Sequence, residues 1–111
     1  MGFLTSFSRS MYLTSYINRL QVQLNDVTAM QLDLTNEIAQ LTSEISDIGN
    51  NESAAVKQLH ARKAELEALD KQLQAKLQKI QVQLQAANTE KQSADQMLQS
   101  SIQSSFSYSM R

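Results

Sequence analysis

From Leu13 to Ile48 the chain places Leu13, Ile17, Leu20, Leu24, Val27, Gln31, Leu34, Ile38, Leu41, Ile45 and Ile48 in steps that alternate four and three without a break. Ten of these eleven positions are apolar, and Gln31 is the exception. A spacing that averages 3.5 residues draws a narrow seam along one side of a helix, the signature of a coiled coil. A strand would need a period of two, which only the short Gln21–Leu24 stretch offers. Nothing interrupts this helix, because the chain has no Pro and its two glycines lie at positions 2 and 49.

The stripe stops at Ile48, and Gly49-Asn50-Asn51 follows. Gly49 is placed to take the left-handed conformation just past a helix end. Asn51 or Ser53 can cap the next helix, and Glu52 favours its positive end. The second half repeats the theme less strictly, through Val56, Leu59, Leu66, Leu69, Leu73, Leu77, Ile80, Leu84, Ala87, Ala94, Leu98, Ile102 and Phe106, with Lys63 and Lys91 in two seam positions. Leu69, Leu73 and Leu77 are four apart, as are the steps from Ala94 to Phe106, so the seam is expected to drift around the helix there.

Folding the chain at the glycine pairs residues whose numbers sum to 104. Ile45 then meets Leu59, Ile38 meets Leu66, Val27 meets Leu77, Leu24 meets Ile80, Leu20 meets Leu84, and Gln31 faces Leu73. One rule aligning so much of the seam predicts an all-α fold of two long antiparallel helices forming a coiled-coil helical hairpin. Its single domain spans 1–111, with helix 1 over about 3–48, a turn at 49–52 and helix 2 over about 53–106. Each arm of roughly 45 residues would run about 65–70 Å at 1.5 Å per residue. The intramolecular seam is assigned to Ile17, Leu20, Leu24, Val27, Ile38, Leu41, Ile45, Leu59, Leu66, Leu73, Leu77, Ile80 and Leu84.

Two helices bury one stripe each, yet further apolar residues lie off the seam. Most are near the termini, which a hairpin brings to one end. Residues 26–79 hold 15 of the charged side chains, whereas 1–25 and 80–111 together hold six. Interface cores are depleted in charge and enriched in aromatics and Met. The terminal half therefore reads as an assembly surface, and its contacts are assigned to Phe3, Leu4, Phe7, Met11, Tyr12, Tyr16, Ile102, Phe106, Tyr108 and Met110. The ends also echo each other: Ser6-Phe-Ser-Arg-Ser-Met11 recurs as Ser105-Phe-Ser-Tyr-Ser-Met110, and Arg19-Leu-Gln-Val-Gln-Leu24 as Lys79-Ile-Gln-Val-Gln-Leu84.

The chemistry of catalysis is not in view. The one His, His60, sits among charged residues with no Cys or second His to complete a metal site. The carboxylates around it alternate with Lys57, Arg62, Lys63 and Lys71 as solvated helix pairs do. No phosphate loop, nucleophile elbow or calcium loop occurs. We therefore expect no enzyme, no cofactor and no metal. A net charge of −1 argues against a nucleic-acid partner, and no apolar run is long enough to span a bilayer. Met1-Gly2-Phe3-Leu4-Thr5-Ser6 fits the loose myristoylation pattern, against which the bulky Phe3 counts. The same segment has too few basic residues to seek anionic lipid.

A signal-less, Cys-free hairpin rich in Gln, Ser, Ala and Leu, with apolar ends and a charged turn, resembles the axial proteins of type III secretion and flagellar systems. Needle subunits and the terminal coiled-coil region of flagellin are the nearest in style. The likeness is one of architecture and composition; needle subunits turn at a Pro-containing loop where this chain has Gly49-Asn50-Asn51. It implies a homopolymer in which terminal helices pack around a filament axis, with a secretion apparatus as a further partner. The expected location is outside the cell or on its surface by a route that needs no signal peptide, with the cytoplasm as the alternative. The competing expectation is a soluble coiled-coil adaptor or secreted helical-hairpin effector that forms a small closed oligomer.

Overall fold

A computed structural model describes residues 2–49 and 53–109, and side chains as far as Ser107. Two helices account for nearly all of it: α1, Phe3–Ile48, and α2, Ala54–Ser109. The fold is an all-α helical hairpin, with no strand among the described residues. The second helix runs slightly past the expected end at 106.

The ends of the helices follow from local chemistry. Gly2 opens α1, its carbonyl accepting the Ser6 N–H at 3.2 Å. Gly49 closes it at φ 80°, a conformation that costs a Cβ-bearing residue about 1–2 kcal/mol. There the Gly49 N–H donates to the Ile45 carbonyl at 3.1 Å, so that one of the carbonyls left over at the helix end is satisfied. Ser53 caps α2: its hydroxyl oxygen accepts the Val56 N–H at 3.4 Å, and its carbonyl accepts the Lys57 N–H at 3.2 Å. Asn51 and Glu52, the other residues expected to act at this end, lie outside the described residues.

The chain forms two compact units. The turn unit comprises Leu24–Lys79, and the terminal unit Met1–Gln23 with Ile80–Arg111. In the turn unit Val27, Leu34, Val56, Leu66 and Leu73 are buried, and Leu24, Gln31, Ile38, Leu41, Ile45, Leu59, Lys63, Asp70 and Leu77 are half-buried. In the terminal unit Ser6, Leu13, Ile17, Leu20, Ile80, Ala87 and Ala94 are buried, and Ser10, Leu84, Lys91, Leu98 and Ser101 are half-buried. Each buried Leu or Ile contributes about 1.5–3 kcal/mol relative to exposure.

Within each unit the shielded positions obey the pairing rule read from the sequence. In the turn unit Ile45 falls opposite Leu59, Leu41 opposite Lys63, Ile38 opposite Leu66, Leu34 opposite Asp70, and Gln31 opposite Leu73. In the terminal unit Leu20 falls opposite Leu84, Ile17 opposite Ala87, Leu13 opposite Lys91, Ser10 opposite Ala94, and Ser6 opposite Leu98.

The second helix departs from the expected drift. Its shielded positions keep alternating steps of three and four, passing through Lys63, Asp70, Lys91 and Ser101. Leu69, Ile102 and Phe106 are exposed instead. The cause is geometric. Once α1 imposes a strict 3.5-residue seam, its partner must present the matching positions whatever residues occupy them, and a side chain one position away points about 100° aside. The seam of α1 also begins earlier than its first Leu, at Ser6, because a small side chain fits a closely packed layer as well as an apolar one.

Candidate assembly surface

Heptad lettering makes the exposed faces legible. With Ser10, Ile17 and Leu24 at a and Leu13 and Leu20 at d in α1, the α2 seam has Leu84, Lys91 and Leu98 at a and Ala87, Ala94 and Ser101 at d. The two flanks of the seam are then the e and g columns. Arg9 and Glu90, both at g, form a salt bridge in the terminal unit, and Glu37 and Arg62, both at g, form one at 3.3 Å in the turn unit. The g columns of the two helices thus share one flank, and the e columns share the other.

The terminal unit carries ten of the fourteen large exposed apolar side chains among the described residues, although the two units are nearly equal in length. Leu4, Phe7 and Met11 project from the b and e columns of α1, with Leu4 75% exposed. Ile102 and Phe106, at e and b of α2, project on the same flank. Phe3, at the seam's end, stacks on Phe7 with ring centroids 5.9 Å apart. Tyr12 and Tyr16 lie at c and g, on the opposite flank. Their rings stack at 6.3 Å, and the Arg19 guanidinium sits 5.9 Å from the Tyr16 centroid. Tyr12 is exposed and Tyr16 half-buried. The residues grouped from sequence as one surface therefore divide between two flanks. Tyr108 falls in α2 with its side chain outside the described residues, and Met110 lies outside them altogether.

Every described charge of the terminal unit is engaged. Arg9 pairs with Glu90 and Arg19 lies on Tyr16. Lys91 Nζ reaches one Asp95 oxygen at 2.8 Å, and Ser10 Oγ donates to the other at 2.5 Å. The Lys91 hydrogen bond first, and the Ser10 hydroxyl second, hold the Asp95 carboxyl below the usual carboxylate range. Such exposed pairs add little stability. Their consequence is for the surface, since the outward b, c and f positions of α2 from Val82 to Ser107 carry no charge at all.

A groove of about 720 Å³ opens on the g flank of this unit, lined among others by Gly2, Phe3, Ser93, Met97, Ser100 and Ser104. Sequence reasoning missed it. The available signal was the recurrence of Ser93, Ser100 and Ser107 at seven-residue intervals, a column of small side chains that leaves room beside Met97.

In the turn unit the exposed surface is ionic. Arg62 bridges Glu65 and Glu37, and Lys63 approaches Glu67 at 3.9 Å. The hydrogen bond that Arg62 donates to Glu65, then the one it donates to Glu37, raises the Arg62 pKa further. His60 is exposed on this unit. No group of three His, Cys, Asp or Glu able to hold a metal occurs among the described residues, and none of their helices is long and apolar enough to cross a membrane.

No family model, curated protein or solved structure matches the chain.

Proposed function

We propose that this protein is a structural subunit whose terminal unit packs against copies of itself to build a helical filament or tube. The observation that carries this reading is the pairing of exposed Phe3, Leu4, Phe7, Met11, Ile102 and Phe106 with outward columns of α2 that hold no charge from Val82 to Ser107. An apolar patch of that kind on a lone hairpin would stay wet, and burial against a neighbour removes the cost. The charged turn unit is then the solvated part. On this reading the protein is not an enzyme, its partner is itself, and a secretion apparatus that delivers it to the cell surface is a further partner.

The test is electron microscopy of the purified full chain over a range of concentrations, beside Phe7→Asp and Phe106→Asp. We expect concentration-dependent polymers from the natural sequence and none from either variant. Unchanged assembly in both variants would sink the proposal.

A second reading has a specific observation in its favour. The heptads of both helices run unbroken, a pattern that equally suits a small closed bundle such as a four-helix dimer. Light scattering separates the two, a fixed mass favouring the closed bundle and open-ended growth favouring the filament.

A further inference from the structure

The two flanks of the turn unit are sealed to different degrees. On a helix, a lies beside e and d beside g, so the a residues of both helices edge the e flank and the d residues edge the g flank. At d, Val27, Leu34, Leu66 and Leu73 are buried, and the Glu37–Arg62 salt bridge crosses the seam on their side. At a, Leu24, Ile38, Ile45 and Leu77 are only half-buried, and Leu32 at b is exposed on the same flank. Two charges stand in this open row. Lys63 and Asp70, both at a of α2 and seven residues apart, are half-buried. Each is held from its own helix, Lys63 by Glu67 at 3.9 Å and Asp70 by the Gln74 amide at 3.0 Å. The residues opposite them on α1, Leu41 and Leu34, offer neither a charge nor a side-chain hydrogen bond.

Resting on the closed-bundle reading, we infer that the e flank of the turn unit packs on the same flank of a second copy, about a two-fold axis that crosses α2 between Leu66 and Glu67. The axis runs across the helices, so the two α2 segments lie antiparallel. Lys63 of each copy then meets Asp70 of the other in two reciprocal ion pairs, and Leu77 of each meets Val56 of the other. On α1, Ile38 meets its own copy close to the axis. A charge withdrawn from water is costly unless it is paired, and polar residues at a fix register and the number of helices. Glu67 also nears its own copy at the axis, where Lys63 and Lys71, four residues to either side, offset it. The flank charges select this face over the other. On the g flank all five acids of the α1 segment and Glu65 stand against Arg62, Lys76 and Lys79, so two such flanks would repel. On the e flank α1 contributes no charge, and Lys57, Lys63 and Lys71 nearly balance Glu67 and Asp70. A contact of one face with itself closes at the dimer.

The experiment uses the full chain carrying Phe7→Asp, which removes contacts through the terminal unit, and reads sedimentation velocity. This background is expected to be a dimer. Adding Lys63→Glu sets two acids against each other in both pairs, and adding Asp70→Lys sets two bases, so each of these variants alone is expected to be a monomer. Mixed in equal amounts they are expected to recover the dimer, because each charge again meets its opposite on the other chain. A residue needed only for the fold of its own chain gives no such recovery. If a single reversal loses its helical circular dichroism, the exchange Lys63→Asp with Asp70→Lys in one chain replaces it and is expected to dimerise. If either single reversal stays dimeric, or if the mixture or the exchanged chain stays monomeric, the contact is wrong and the closed bundle stands. If the Phe7→Asp background is itself monomeric or grows without limit, the closed-bundle reading falls with it, and the flank is left to an occupant other than a second copy.

Discussion

Ser10 and Asp95, 85 residues apart in the sequence, meet through a hydrogen bond of 2.5 Å in the terminal unit, where Lys91 holds the other carboxylate oxygen. The carboxylate is stabilised in its charged form by both donors, so its pKa is lower in the folded chain than in the unfolded one. A group of this kind supports the fold above its unfolded pKa, near 3.9 for aspartate, and loses that support as pH falls through the lower folded value. Carboxyl NMR titration should show Asp95 ionised to lower pH than a free aspartate. In Ser10→Ala the midpoint should move back up, and an unchanged midpoint would show that the hydroxyl plays no part.

Ala94 is 2% exposed and falls opposite Ser10, so this layer pairs two small side chains. Ala94→Leu should therefore overpack the terminal unit and destabilise it by about 1–3 kcal/mol. Leu66→Ala, at a 3% exposed position in the turn unit, leaves a cavity instead and should cost about 2–5 kcal/mol. Urea unfolding followed by circular dichroism measures both, and a neutral Ala94→Leu would mean that the layer is looser than its burial indicates.

Gly49 has open space around the position a Cβ would take, so its requirement is conformational alone. Gly49→Ala should cost about 1–2 kcal/mol from the left-handed backbone. Gly49→Asn should cost less, since Asn tolerates that region. Equal unfolding midpoints for all three sequences would contradict the cap.

Lys63 occupies a half-buried seam position opposite Leu41, with its ammonium 3.9 Å from Glu67. Lys63→Leu should raise stability by about 1 kcal/mol through added apolar burial. Polar residues at a positions commonly fix register and oligomeric state at some cost in stability. The same variant should therefore broaden the distribution of species in sedimentation, and a stabilised variant with an unaltered distribution would separate the two effects.

The hairpin was legible because its strongest signals were local: an unbroken stripe in α1, a Gly after its last member, and no Pro anywhere. The path of the seam along α2 was harder to read. There Leu69, Ile102 and Phe106 look like seam residues by hydrophobicity, while Asp70 and Ser101 do not. Hydrophobicity ranks single positions, whereas the seam of a helix pair is set by both partners at once, and the partner with the stricter pattern prevails. The exposed Leu4, Phe7 and Met11 could be named from sequence, since nothing in the pattern shelters them. Their separation from Tyr12 and Tyr16 was implicit in the α1 stripe, whereas the salt bridges Arg9–Glu90 and Glu37–Arg62 fix which column of α2 shares each flank.

The Thr side chains of α1 carry one more consequence. Thr14, Thr28 and Thr42 each turn their hydroxyl back onto the carbonyl four residues earlier, at 2.8–2.9 Å. All three, with Thr35, fall in the e column. A hydroxyl occupied in this way has already given its proton to its own helix, so the rim it occupies offers water fewer handles than its composition implies. Methyl groups recur there every seventh or fourteenth residue, so the rim is less polar than a row of free hydroxyls would be.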